Sequence, residues 1–512
     1  MTVDILIYHG VVITMEGNGC GIINDGAVAV KGNRIEAVGP TADILKQYSA
    51  HRSIDAENKA VLPGFIDAHI HTSIAILRGA SQDINGWMYS GLHPLLSEAD
   101  DDDLMAGSML NIAEAVKKGT TTFFDFSAPM LKLVENHVRA GTRAIVANTV
   151  NELASARQRT AASDAQHDAQ HDTQHDAQHD TQHIETDVPG FDPAKGQQAL
   201  SDTISLIEHY HDSRGGRIQC MVGPQATEMV SLPMLCELKA TAEKYSLDIH
   251  MHLAQDPRET KTVLQRYQKR PVQLLEDLGY LTPRLHVAHI TDTTPEERQF
   301  LAGRGVSMAQ CTNSICIIDG ILPPCEEYLS FGGKVALGTD QAPGNNCNNL
   351  FSEMKLTAML HKYKHTDPTR FPAWKVLRMA TIESARAMGY GDSLGSLKAG
   401  KLADIILIDL TAPALSPVLF SPVRNIVPNL VYAASGDEVQ TVIIDGQVIM
   451  EDRKLLTVDE TQVISCANQR AAAICTRLCT GPHTAEQAGG QSGQEGQLRE
   501  MPLVKWTEAG FY

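Results

Sequence analysis

The chain lacks any apolar run close to the ~20 residues that a helix needs to cross a bilayer, so a membrane-spanning helical protein is excluded. It also lacks a basic surplus. Its 43 Lys and Arg stand against 61 Asp and Glu, a net charge of −18, which repels a phosphate backbone and argues against nucleic acid as a partner. The opening Met1-Thr2-Val3-Asp4-Ile5-Leu6-Ile7 has neither the charged start nor the small-residue cleavage site of a secretory signal. Ten cysteines are present, but they form no tight framework, and the loose pair Cys311 and Cys316 reads as free buried thiols. The expectation from these absences is a cytoplasmic protein in a reducing compartment, with neither nucleic acid nor membrane as partner.

What is present has the composition of an ordinary globular protein, 43% apolar and 20% charged over 512 residues. That length exceeds one common domain but suits a barrel of ~250 residues or more with a satellite. Short strand-like runs punctuated by glycine fill residues 3 to 58: Ile5 to Ile7, Val11 to Thr14, Ala27 to Val30 and Arg34 to Val38. They predict a small antiparallel unit without helices. The pattern returns in Ala403 to Asp409 and Val439 to Val448, with a turn at Asp445-Gly446, as if one β-sandwich were split by an insertion. Between the flanks, strands near 61–71, 120–126, 143–150, 217–223, 248–255, 285–290, 306–311 and 335–340 alternate with amphipathic helical stretches. Eight such units predict an α/β fold, a (β/α)8 TIM barrel whose active site lies at the C-terminal strand ends.

The expected organisation is therefore 1–58 and 395–455 as the two parts of a composite β-sandwich, 59–394 as the barrel, and 456–512 as a terminal helix and flexible tail. Residues 164–183 repeat Asp-Ala/Thr-Gln-His five times. Histidines at i, i+4 spacing would share one helix face and could bind a metal, but the favoured reading is a polar, disordered expansion of a βα loop. The Gly/Gln-rich stretch from Gly481 to Glu500 reads as a flexible tail.

Histidines cluster at the predicted strand ends. His69 and His71 close the run Val61 to His71, and i, i+2 side chains of a strand share a face, so both imidazoles can meet one ion. His252, His289 and Asp340 each end a later apolar strand. Imidazole and carboxylate suit zinc or a similar divalent ion, and a catalytic ion keeps one position open for water. His250 and His286 fit satisfied core histidines better, although His250, at i−2 of His252, could still face the lumen.

With the entry motif Pro63-Gly64-Phe65-Ile66-Asp67-Ala68-His69-Ile70-His71, the segment Leu77-Arg78-Gly79 through Trp87, Gly338-Thr339-Asp340 with Asn345-Asn346, and the closing Gly395 to Asp404, the chain resembles the amidohydrolase superfamily over residues 1 to 455. The resemblance is to its branch of cyclic deaminases and triazine chlorohydrolases, which includes adenosine-type, methylthioadenosine/adenosylhomocysteine and guanine deaminases. It implies one divalent ion on His69, His71, His252 and Asp340, zinc by preference with iron, cobalt or manganese as alternatives. Such an ion lowers the pKa of a water toward neutrality. Asp340 would take and return its proton, and His289, not itself a ligand in related enzymes, would orient the water or polarise the group attacked. Two-metal relatives carry a lysine at the end of strand four, where this chain reads Arg217 to Gln225 without one. Related barrels commonly form dimers or larger homo-oligomers.

Three positions depart from the deaminase pattern. Gln255 stands where those enzymes place a proton-shuttling Glu, and an amide cannot cycle a proton. Gly223-Pro224-Gln225 replaces a Gly-Pro-His. The ribose-gripping Glu expected nine residues beyond Trp87 falls on Leu96, with Glu98 two further on. Together they argue against a nucleoside deaminase. The expected function is metal-dependent hydrolysis of a non-peptide C–N bond of a small molecule, with Asp340, His289 and Gln255 as the catalytic residues and Trp87, Gln225 and Gln255 binding substrate. One version is deamination or dechlorination of a heterocycle. The alternative is hydrolysis of an amide, urea or carbamate-like bond, in which Asp340 itself protonates the departing amine. A non-catalytic binding or scaffold protein is the remote third.

Overall fold

The computed structural model describes residues 1–84, 86–154, 188 and 190–480. The His-rich repeat at 164–183 and the tail at 481–500 lie outside the described residues.

The barrel is built from β1 (Phe65–His71), β2 (Thr120–Ser127), β3 (Arg143–Val150), β4 (Ile218–Pro224), β5 (Ile249–Leu253), β6 (Leu285–His289), β7 (Ser307–Gln310) and β8 (Lys334–Leu337, resuming at Asp340–Gln341). Each strand pairs parallel with the next. The ring closes because β8 hands over its partners at Gly338-Thr339: the stretch before pairs with β7, and Asp340 pairs with Ile70 of β1. A Cβ at Gly338 would sit 2.9 Å from the His69 backbone, so only glycine permits that approach. Every residue of β2 is buried, as expected for a parallel strand covered on both faces. The covering helices begin on caps built into the loops. Asp100 and Asp103 form a capping box before Asp101–Lys117, and Asp256 caps Pro257–Tyr267 just beyond the end of β5.

The expected strand 61–71 is in fact two. Lys59–Pro63 belongs to the flanking sheet, and after Gly64 the chain enters the barrel as β1. Thr121 packs where a Cβ of Gly64 would lie, 2.2 Å away, which fixes the break at that residue.

The two flanks join through Lys59–Pro63, which pairs antiparallel with Ile405–Asp409. The resulting nine-stranded sheet closes around Ile5, Ile7, Val28, Val30, Ile405 and Ile443. It is mixed rather than purely antiparallel. The helix Thr41–Gln47, absent from the sequence reading, carries the chain across so that Ser49–Asp55 runs parallel to Thr2–Ile13. A parallel neighbour needs such a crossover, and these seven residues supply it. The C-terminal helix Glu460–Thr480 packs Ala467 and Ile474 into a cluster with Trp87, Leu92 and Leu95, bracing the loop after β1.

Candidate metal centre

The C-terminal strand ends bring five groups to one point. Ligand atoms of His69, His252, His289 and Asp340 all lie within 4.8 Å of one another, and all four residues are buried. His71 stands beside them, its Nε2 3.2 Å from Nε2 of His252 and 3.3 Å from Oδ1 of Asp340. Asp340 Oδ1 is also 3.6 Å from His69 Nε2. His289, expected to stand apart from the ligand set, thus has a donor atom among the candidate ligands.

Three of the four rings are aimed by a partner on the far side. His71 Nδ1 bonds the Phe126 carbonyl, His252 Nδ1 bonds the Gln225 carbonyl at 2.8 Å, and His69 Nδ1 bonds His250 Nε2 at 2.7 Å. These bonds leave the Nε2 atoms of the three rings facing inward. Ser314 donates to Asp340 Oδ2 at 2.6 Å. Asp67 accepts from the amide and hydroxyl of Thr339, and Asn348 donates to the Asp340 carbonyl at 2.9 Å. This web holds Asp340 in the left-handed region, at φ 61°. His289 is held there too, at φ 80°.

Electrostatics match a cation site. Burial, reinforced by its histidine neighbours, pushes His252 down to about 3 and His69 well below the usual imidazole range. Burial likewise takes His289 to about 4. Burial works to raise Asp340, but hydrogen bonding and charge from His71, His289 and Ser314 hold it below the ordinary carboxylate range. Neutral imidazoles around an ionised carboxylate are the donor set a divalent ion requires. His69 Nε2 is buried with no hydrogen-bond partner, an orphan that a metal ion would satisfy.

Against this point opens a cavity of about 270 Å³ lined by Trp87, Leu92, Leu96, Gln225, Gln255 and Asp340, among others. Trp87, Gln225 and Gln255, the residues expected to bind substrate, all line this cavity. Leu96 lines it as well, and Glu98 is not among the lining residues. Gln225 is engaged from both sides, its side chain accepting from Asn151 at 2.7 Å and its carbonyl orienting His252. Gln255 donates from Nε2 to Asp319 at 3.3 Å, and its backbone N–H is fixed by Glu259 at 3.0 Å.

The sequence reading missed His250 as the partner of His69, although the two-residue strand period already put it on the face of His252. It also missed Ser314, Asp67 and Asp319, whose positions follow from chain crossings with no local signal. His286 pairs with Asp248 at 3.2 Å, away from the centre, as a core histidine should.

The amidohydrolase family matches residues 60–449, and an imidazolonepropionase-like composite domain of bacteria matches 26–48. The chain is 33% identical over 463 residues to a 5-methylthioadenosine/S-adenosylhomocysteine deaminase of Syntrophobacter fumaroxidans, covering 90% of this chain and 96% of the relative. It is 31% identical to a 5'-deoxyadenosine deaminase of Methanosphaera stadtmanae, covering 86% and 93%. Among solved structures, a zinc-bound adenosine deaminase from Xanthomonas campestris superposes with a TM-score of 0.80 at 26% identity, covering 93% and 99%. A zinc-bound atrazine chlorohydrolase from Arthrobacter aurescens shares the fold with a TM-score of 0.77 at 22% identity, covering 91% and 100%. With its eight-stranded barrel, its composite β domain and a match over most of its length, this chain belongs to the amidohydrolase family, hydrolases that act on carbon–nitrogen bonds other than peptide bonds.

Proposed function

We propose that the protein hydrolyses a C–N bond at a trigonal carbon of a small molecule carrying an apolar group, releasing an amine or ammonia. The observation that carries this reading is the pairing of a five-group cation site with a pocket wall of Trp87, Leu92 and Leu96. His69, His71, His252 and Asp340 would hold one divalent ion, zinc by preference, and the Xanthomonas and Arthrobacter neighbours are zinc-bound. When bound, the ion makes the attacking water acidic near neutral pH. Asp340, ionised and fixed by Ser314, receives the water's proton. His289 faces the same point and orients the water or polarises the group attacked. Gln255 presents its amide to the substrate's polar group, and Trp87 packs on its apolar part.

Leu96 in place of an acid and Gln225 in place of a histidine favour an amide, urea or carbamate-like substrate over a nucleoside. The names of the bacterial and archaeal relatives favour the second reading, deamination of a heterocycle. A panel of purines, pterins, triazines, ureas and carbamates, followed for ammonia and for larger amines on the zinc-loaded protein, separates them. Amine release from ureas or carbamates is expected. Efficient adenosine or adenosylhomocysteine deamination would overturn the first reading in favour of the second, and no turnover of any member would sink both.

A further inference from the structure

Resting on the C–N hydrolase reading above, we propose that Asp319 is the acid that protonates the departing nitrogen, standing in for the proton Gln255 cannot carry. Three observations place it there. Asp319 follows the helix Thr312–Ile318 beyond the end of β7, and that helix carries Ser314, the residue bonded to Asp340. Its Oδ2 accepts from Gln255 Nε2 at 3.3 Å, and the Trp87 indole acts on the same carboxyl, favouring its ionised form. Gln255 and Trp87 both line the pocket, and Asp319 stands behind the Gln255 amide rather than in the pocket wall, so its proton reaches a nitrogen seated against that amide across one water.

The surroundings keep a proton available. Burial lifts the Asp319 carboxyl to about 6, the Asp256 and Asp340 carboxylates add to the lift, and the Gln255 and Trp87 donors oppose it. The end of a helix, with its partial negative charge, also disfavours the ionised form. Arg258, which also lines the pocket, is engaged by Glu228 at 3.1 Å and Asp256 at 3.4 Å. Glu259, raised by burial and by Glu228, faces the Gln255 backbone rather than its amide.

The proton balance closes. Asp340 takes one proton from the attacking water as the C–O bond forms. The C–N bond then breaks with its electron pair on nitrogen, which receives the Asp319 proton. Asp340 releases its proton to solvent and Asp319 recovers one from it, so the net reaction consumes one water and frees one amine. Because Asp319 must be protonated to act, turnover falls as pH rises through its pKa.

The test uses Trp87 as a local reporter in the full chain carrying Trp374→Phe and Trp506→Phe. Trp87 emission should change in a step near pH 6 in metal-free protein, and at lower pH once zinc is loaded, because added positive charge favours the carboxylate. Asp319→Asn should abolish the step. With a phenylurea or phenylcarbamate as probe, Asp319→Asn should lower kcat by about 10²–10⁴-fold and flatten the high-pH limb, and adding Gln255→Glu should recover activity at least about tenfold. An emission step unaffected by Asp319→Asn, or variant turnover within about threefold of wild type with the same limb, would overturn the proposal. A wild type that turns over no probe indicts the C–N hydrolase reading instead, and the emission step still decides whether Asp319 holds a proton beside Trp87.

Discussion

The two ends of the barrel bury charge in opposite ways. At the N-terminal end, Arg143 opens β3 and meets Asp404 through Nε at 2.7 Å and Nη2 at 3.0 Å, while the same Nη2 reaches Asp445 at 2.9 Å. Asp404 also accepts from the Asp445 amide at 2.8 Å. This cluster joins barrel to β domain and is closed, charge against charge. At the C-terminal end, neutral imidazoles surround one carboxylate and an inward nitrogen has no partner. One end is complete without a ligand, and the other is complete only around a cation. The difference separates residues that hold the molecule together from residues that do chemistry, as expected of the two faces of this fold.

The largest effect should come from emptying the open end. His69→Ala, His252→Ala and Asp340→Ala should each lose the single bound metal and reduce turnover at least about 10⁴-fold, while His289→Ala keeps the metal and loses most turnover. Elemental analysis beside steady-state kinetics checks this, and full occupancy in the first three variants, or two tight ions in the wild type, would break the ligand assignment.

Breaking the closed end should act on stability instead. Arg143→Ala strands the buried Asp404 and leaves the half-buried Asp445 without its partner, a change that costs about 3–5 kcal/mol in comparable buried pairs. Denaturant unfolding should show that loss, whereas the folded fraction keeps its metal stoichiometry. A loss of metal with unchanged stability would erase the contrast between the ends.

Smaller effects should sharpen it. Ser314→Ala removes the hydrogen bond to Asp340 Oδ2, and supports of this kind are worth about 10–100-fold in metal affinity. Chelator competition reads this directly. Gln255→Ala should slow turnover only about tenfold and leave metal affinity unchanged, since Gln255 touches the pocket and Asp319 but no candidate ligand. A collapse of metal binding in Gln255→Ala would place it in the cation site.

Much of this architecture was legible in the chain. The runs 120–126 and 143–150 match β2 and β3 to within a residue, because parallel strands buried on both faces leave continuous apolar stretches between turn signals. The histidine-bearing strand ends were visible for the same reason: His69, His71, His252, His289 and Asp340 each terminate such a run. The split at Gly64 was not, since apolar residues continue across it and only Thr121 against the glycine marks the change of sheet. The crossover helix Thr41–Gln47 was hidden by its brevity.

By itself, the sequence determined the strand order, the ring of candidate ligands and the three departures at Gln225, Gln255 and Leu96, because each is written in local periodicity or in a short motif. Tertiary structure alone decided what those departures mean. It set Leu96 into the pocket wall, turned Gln225's carbonyl toward His252, and brought Asp319, 64 residues from Gln255 along the chain, to the amide that has no proton to give. The physical reason is that strand ends are fixed by backbone pairing within reach of local sequence, whereas a loop's side chains meet only after the barrel has closed.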